Sequence, residues 1–158
     1  MPATLKNQKG KTNDTRLTLD TKKRPSKAKP KKLKPSALKK KLWELCKVLT
    51  RARYGRVCFT CGKTGLDGAN WHTGHFIPSG SCGAYLRYDL RNLRPQCYNC
   101  NINLGGNGAQ YYRQMVKHEG EAYVEQLYRD KQKVVKADSI FYTNLIDRYQ
   151  HLVQEGTK

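Results

Sequence analysis

Four cysteines stand in two Cys-x-x-Cys pairs, Cys58/Cys61 and Cys97/Cys100. Two such pairs in one chain have the spacing of a tetrahedral Zn²⁺ site, each pair giving two thiolates from a tight turn. A site closed by four thiolates leaves no position for a reacting water, so this zinc would be structural. Between the pairs lie His72, His75 and Asn92, and Asn101 follows the last cysteine directly. These residues suggest a reactive site in addition to a staple. A histidine titrates near neutrality and can take a proton from water. On residue type alone, His75 is either that base or a core histidine, and His72 is either a ligand or a surface residue.

The elements that must position these groups can be read around them. Residues 58–65 form a zinc knuckle, a short turn with glycine just after the second thiol. Residues 71–76 predict the first strand of a β-hairpin and 92–97 the second, joined by a long Gly- and Ser-containing loop. Pro95 cannot donate to a ladder, so it belongs at a strand end or an edge. Residues 98–104 predict an α-helix stopped by Gly105 and Gly106. Upstream, Ser36 is expected to cap a helix over 37–52, with Leu38, Leu42, Leu45, Val48 and Leu49 at helical spacing and Gly55 ending it. Downstream, helices are expected over 109–117, 121–134 and 139–154, the last capped by Asp138. Their apolar faces offer core or, as a second reading, a homodimer surface. Cys46 and Cys82 are left as free thiols, with Cys46 in the core.

The charge points to a partner. The 158-residue chain carries 31 Lys+Arg against 12 Asp+Glu, a net charge of +19. Residues 1–41 hold 15 of the cations and 2 of the anions, which leaves +6 on the rest. Such an excess suits a polyanion such as DNA or RNA. Residues 1–35 show no helical or strand period, so they are expected to be a disordered basic tail, with Lys31 and Lys32 among its phosphate contacts. No stretch approaches a membrane span, and no apolar run follows the basic N-terminus, so a cytosolic setting with reduced thiols is the default.

The stretch 58–107 resembles the HNH (ββα-metal) nucleases. It is more similar still to the NinG, or Rap, recombination endonucleases of lambdoid phages. The matching residues are the Cys58/Cys61 pair, WHTGHF (71–76), LRYDLRNLRPQC (86–97), CYNCN (97–101) and GGNGAQYYRQM (105–115). The resemblance implies an α+β, mostly helical fold: a zinc-stapled ββα core (57–107) flanked by an N-terminal helix (36–56) and C-terminal helices (108–158).

The resemblance also implies roles. His75 matches the histidine that deprotonates the attacking water. Asn92 matches a residue that pins the hairpin loop, and Asn101 one that helps hold the catalytic Mg²⁺ or Mn²⁺. Many HNH enzymes carry Asp before the catalytic histidine, where this chain has Gly74. His72 is therefore expected to replace the missing carboxylate, with a β-bulge at Gly74 turning both histidines to one side. Arg87 matches an arginine of NinG-like proteins and is the best phosphate contact. Arg91 and Arg94 are further phosphate contacts or a solvated face.

The implied activity is metal-dependent hydrolysis of DNA phosphodiesters, on branched recombination intermediates such as a Holliday junction or D-loop, in a phage-infected cell. A non-catalytic zinc-ribbon nucleic-acid-binding protein is the rival. It accounts for the charge and the cysteines but not for the His75/Asn92/Asn101 set. A general or homing HNH nuclease is the rival within the class.

Overall fold

The computed structural model describes residues 33–156. The tail expected over 1–35, with its contacts Lys31 and Lys32, falls mostly outside the described residues. Five helices and two short strands follow in the order α1 (Pro35–Tyr54), β1 (His72–His75), α2 (Ala84–Arg87), β2 (Leu93–Gln96), α3 (Gly108–Glu119), α4 (Glu121–Lys131) and α5 (Ser139–Glu155). The architecture is mostly helical α+β. None of the described helices is long and apolar enough to cross a membrane.

Helix α1 starts earlier than expected. Pro35 takes its first turn, where the missing N–H costs nothing, and Ser36 lies inside the helix and not at its cap. Gly55 ends it at φ 67°, donating its N–H to the Arg51 carbonyl at 2.9 Å. Leu38, Leu42 and Cys46 form its buried stripe. They meet Tyr142, Ile146 and Tyr149 of α5, with Tyr88 and Leu93 closing the cluster. The two outermost described helices therefore pack on each other. Asp138 caps α5 as expected, its carboxylate accepting from the Ile140 and Phe141 N–H groups at 3.0 Å each.

A second cluster joins the hairpin loop to α3 and α4 through Phe76, Ile77, Leu86, Tyr111, Met115, Val124 and Leu127. An ion-pair network reinforces it. Buried Asp130 of α4 takes Arg91 at 2.7 Å and Lys133 at 2.8 Å.

Strands β1 and β2 form an antiparallel pair in unbroken register, His72 facing Gln96 and His75 facing Leu93. The bulge expected at Gly74 is absent. The reason is steric: a Cβ at Gly74 would stand 2.0 Å from Gln96 Oε1, so glycine lets the Gln96 side chain cross the strand without distorting it. Pro95 lies on the outer edge of β2, where its carbonyl accepts the Phe59 N–H of the knuckle at 2.8 Å. The α-helix expected over 98–104 is instead a five-residue π-helical turn, Asn99–Asn103. The regular helix begins only at Gly108, after Asn107 has turned the chain in the left-handed conformation at φ 50°.

Candidate functional site

The two Cys-x-x-Cys turns meet. All four Sγ atoms of Cys58, Cys61, Cys97 and Cys100 lie within 4.8 Å of one another, with Cys61 and Cys97 at 3.8 Å. Zn–S bonds of about 2.3 Å in a tetrahedron put sulfurs about 3.8 Å apart, so the cluster fits such an ion. The knuckle holds its shape because the Cys58 N–H donates to the Lys63 carbonyl and the Gly62 N–H to the Cys58 carbonyl. The Cys100 N–H points at Cys97 Sγ at 3.4 Å and Asn107 Nδ2 at Cys100 Sγ at 3.8 Å, the outer-layer donors that orient thiolate ligands. Leu66 and Trp71 seal the cluster.

The second assembly is open. A cleft of about 830 Å³ is lined by Lys39, Lys40 and Trp43 of α1, Thr73 and His75 of β1, Arg87 and Tyr88 around the end of α2, Asn101 of the π turn and Tyr142 of α5, among others. His75 is half-buried, and its ring lies flat on Trp43 with centroids 5.1 Å apart and planes 6° apart. Its Nε2 is 2.9 Å from the Arg87 carbonyl. A carbonyl only accepts, so Nε2 carries the proton and Nδ1 keeps the basic lone pair. Burial holds this imidazole below its usual pKa, and the nearby Arg87 charge acts in the same sense, against the Arg87 carbonyl hydrogen bond. The ring is therefore an unprotonated acceptor near neutral pH.

Asn92 is fully buried and works as a clasp. Its Oδ1 accepts the Ile77 N–H at 2.7 Å, and its Nδ2 donates to the carbonyls of Ile77 at 3.0 Å and Leu86 at 3.4 Å. This ties both ends of the hairpin loop together and fixes where Arg87 presents its carbonyl to His75. Asn92 acts through His75 and does not reach the cleft.

His72 does not take the place expected of it. Its Nε2 is 2.8 Å from the Ala69 carbonyl and its Nδ1 is 3.2 Å from Asn101 Nδ2. Both ring nitrogens are committed, so His72 orients Asn101 and does not offer a free nitrogen to a cation. In a regular strand it also faces away from His75.

The arginines separate into three kinds. Arg87 is exposed at the cleft. Arg91 is shared between Asp89 and Asp130, at 2.6 and 2.7 Å, so its charge is spent inside the fold. Arg94 corrects the expectation of a phosphate contact outright. It is 1% exposed, pairs with Glu119 at 2.6 Å and lies against the rings of Tyr54 and Phe59. Sequence reasoning left Lys39 and Lys40 to solvent or phosphate and read Trp43 only as part of an apolar helix side; it gave Tyr142 no place at the cleft. Lys39, Lys40 and Trp43 do share one helical face by their spacing, but nothing local says that the face meets His75.

The family model described as Bacteriophage Lambda NinG protein matches residues 2–158. Similar proteins include the protein ninG of Salmonella phage P22, 32% identical over 76 residues, which are 48% of this chain and 36% of that relative. The protein ninG of Escherichia phage lambda is 30% identical over 70 residues, 44% of this chain and 33% of the relative. The aligned stretch thus spans about a third of the length of these relatives. No solved structure matches the chain.

Proposed function

The chain belongs to the NinG family of lambdoid phage proteins, and from that premise we propose that it is a metal-dependent endonuclease of the HNH class. The observation that carries the reading is His75: an imidazole with Nε2 pinned to a carbonyl and Nδ1 left basic, in a cleft with Lys39, Lys40 and Arg87. His75 Nδ1 takes a proton from water as the water oxygen attacks phosphorus. The P–O3′ bond breaks, leaving 5′-phosphate and 3′-hydroxyl ends. Lys39, Lys40 and Arg87 bind the phosphodiester oxygens. Asn101, which lines the same cleft, would hold Mg²⁺ or Mn²⁺, an ion that would neutralise charge on the leaving oxygen. Zn²⁺ at Cys58, Cys61, Cys97 and Cys100 is structural. The substrate class follows from the family resemblance: branched recombination intermediates, a Holliday junction or D-loop.

Nicking of supercoiled plasmid in Mg²⁺ or Mn²⁺ tests the chemistry. His75→Ala should lose about 10²–10⁴ in rate, the usual worth of a general base, with zinc content unchanged. Full activity in His75→Ala would refute the assignment. A four-way junction compared with linear duplex of the same sequence tests the branch preference, and equal rates would remove it.

A further inference from the structure

Gln96 is fully buried on β2, and one end of its amide is pinned. Its Nε2 donates to Thr60 Oγ1 at 2.6 Å and to the Gly106 carbonyl at 2.8 Å. The Gly106 oxygen only accepts, so the amide cannot be reversed and Oε1 must face Gly74. There Oε1 has no hydrogen-bond partner among the described residues. The position a Cβ would take at Gly74 is 2.0 Å from this oxygen and 3.0 Å from Asn101 Oδ1. Asn101 is fixed by a similar argument. His72 Nε2 donates to the Ala69 carbonyl, so His72 Nδ1 accepts from Asn101 Nδ2 and Asn101 Oδ1 is turned toward Gly74. Two carbonyl oxygens thus converge beside a glycine with no N–H between them. A buried polar group left unpaired is costly. The unpaired Gln96 oxygen beside that of Asn101 suits a species that accepts lone pairs, and Asn101 also lines the cleft that holds His75.

We propose that Gln96 Oε1 and Asn101 Oδ1 are the protein ligands of a hard divalent cation. Gln96 supplies, from the second strand, the oxygen that many HNH enzymes take from an Asp at the position of Gly74. The functional role of the ion rests on the nuclease reading above; the ligand pair rests on the geometry. Amide oxygens suit Mg²⁺ and Mn²⁺ and disfavour thiophilic ions, which the four cysteines collect instead. Gly74 is then required by the pair: any side chain there would displace Gln96 Oε1.

The test reads binding and not cleavage. Zinc-loaded full-length protein is titrated with Mn²⁺, and free Mn²⁺ is counted by electron paramagnetic resonance without DNA. The wild type should take up one Mn²⁺ per chain. Gln96→Met and Asn101→Ala should each weaken that uptake by about tenfold or more, with zinc content unchanged. Asn101→Asp, at a half-exposed position, should tighten it, and decides the matter if Gln96→Met loses its fold. Failure of the wild type to take up Mn²⁺, uptake unchanged in a folded Gln96→Met, or no tightening in Asn101→Asp overturns the ligand pair. Uptake as expected in a protein that cuts no DNA supports the pair and sinks only the nuclease reading.

Discussion

The cysteine cluster and the His75 cleft meet at the Cys100–Asn101 step of the π turn, and they are built in opposite ways. The cluster is closed and local. Its ligands come from two tight turns, its oriented donors are the Cys100 N–H and the Asn107 amide just beyond the second turn, and three of its four cysteines are buried. The cleft is open and composite. Its histidine comes from β1, its aromatic wall and two cations from α1, its arginine from the hairpin loop and a tyrosine from α5. A staple has to survive any fluctuation, so short-range covalent geometry serves it. A substrate cleft has to be entered, so it is assembled from surfaces that meet edge to edge. Damage to the first should therefore remove the fold, and damage to the second should remove function while the fold persists.

Substitutions at four residues press on that contrast, in descending order of effect. Cys97→Ser should be the most severe. It removes one of four thiolates, and much of the local stability of a small metal-held region is metal-binding free energy. The expected result is loss of zinc by atomic absorption together with loss of cooperative unfolding. A well-folded zinc-free Cys97→Ser protein would end the distinction between staple and cleft.

Arg94→Ala comes next. It leaves Glu119 without its partner beside the Tyr54 and Phe59 rings, and breaking a buried ion pair costs about 3–5 kcal/mol. Urea unfolding should show that loss. Arg87→Ala, at the cleft, should leave the urea midpoint in place and weaken DNA binding in a salt-dependent way. Reversed outcomes for the two arginines would exchange their roles.

Trp43→Ala is the mildest and the most informative. Burial disfavours the charged imidazolium, so His75 sits below its ordinary pKa and cleavage should reach its plateau early as pH rises. Removing the stacked indole admits water, stabilises the imidazolium and raises the pKa. The acid limb of the rate profile should then move to higher pH, with more activity lost at pH 6 than at pH 8. Trp43→Phe should restore most of the wild-type profile. A uniform loss at every pH would mean that Trp43 only fills space.

What could be read in advance follows the same division. The cysteine pairs, the hairpin strands and the Asp138 cap depend on neighbours within a few residues, and so were legible. Asn92 was legible only through the family resemblance, which marks it as the residue that pins the hairpin loop. The placements of Arg94, His72 and Gln96 were not, because each is decided by a group far away in sequence: Glu119 for Arg94, Asn101 for His72, and Thr60 and Gly74 for Gln96. A run such as Leu93–Gln96 looks like a polar strand with a solvated arginine, yet all four of its residues are buried. The π turn at Asn99–Asn103 was missed for a similar reason. The Cys97 and Cys100 positions fix the turn, and helix propensity is too weak to override that restraint.

The packing of α1 against α5 has a consequence for timing on the ribosome. Synthesis delivers the four cysteines, His75, Asn92 and Asn101 well before Ser139. Until α5 emerges, the apolar stripe of α1 lacks Tyr142, Ile146 and Tyr149, and α1 is held over His75 by Tyr88, Leu93 and the Trp43 stack. A nascent chain can thus close its staple early while its cleft stays half-built. The lining of the cleft is completed only when translation has run through the last described helix.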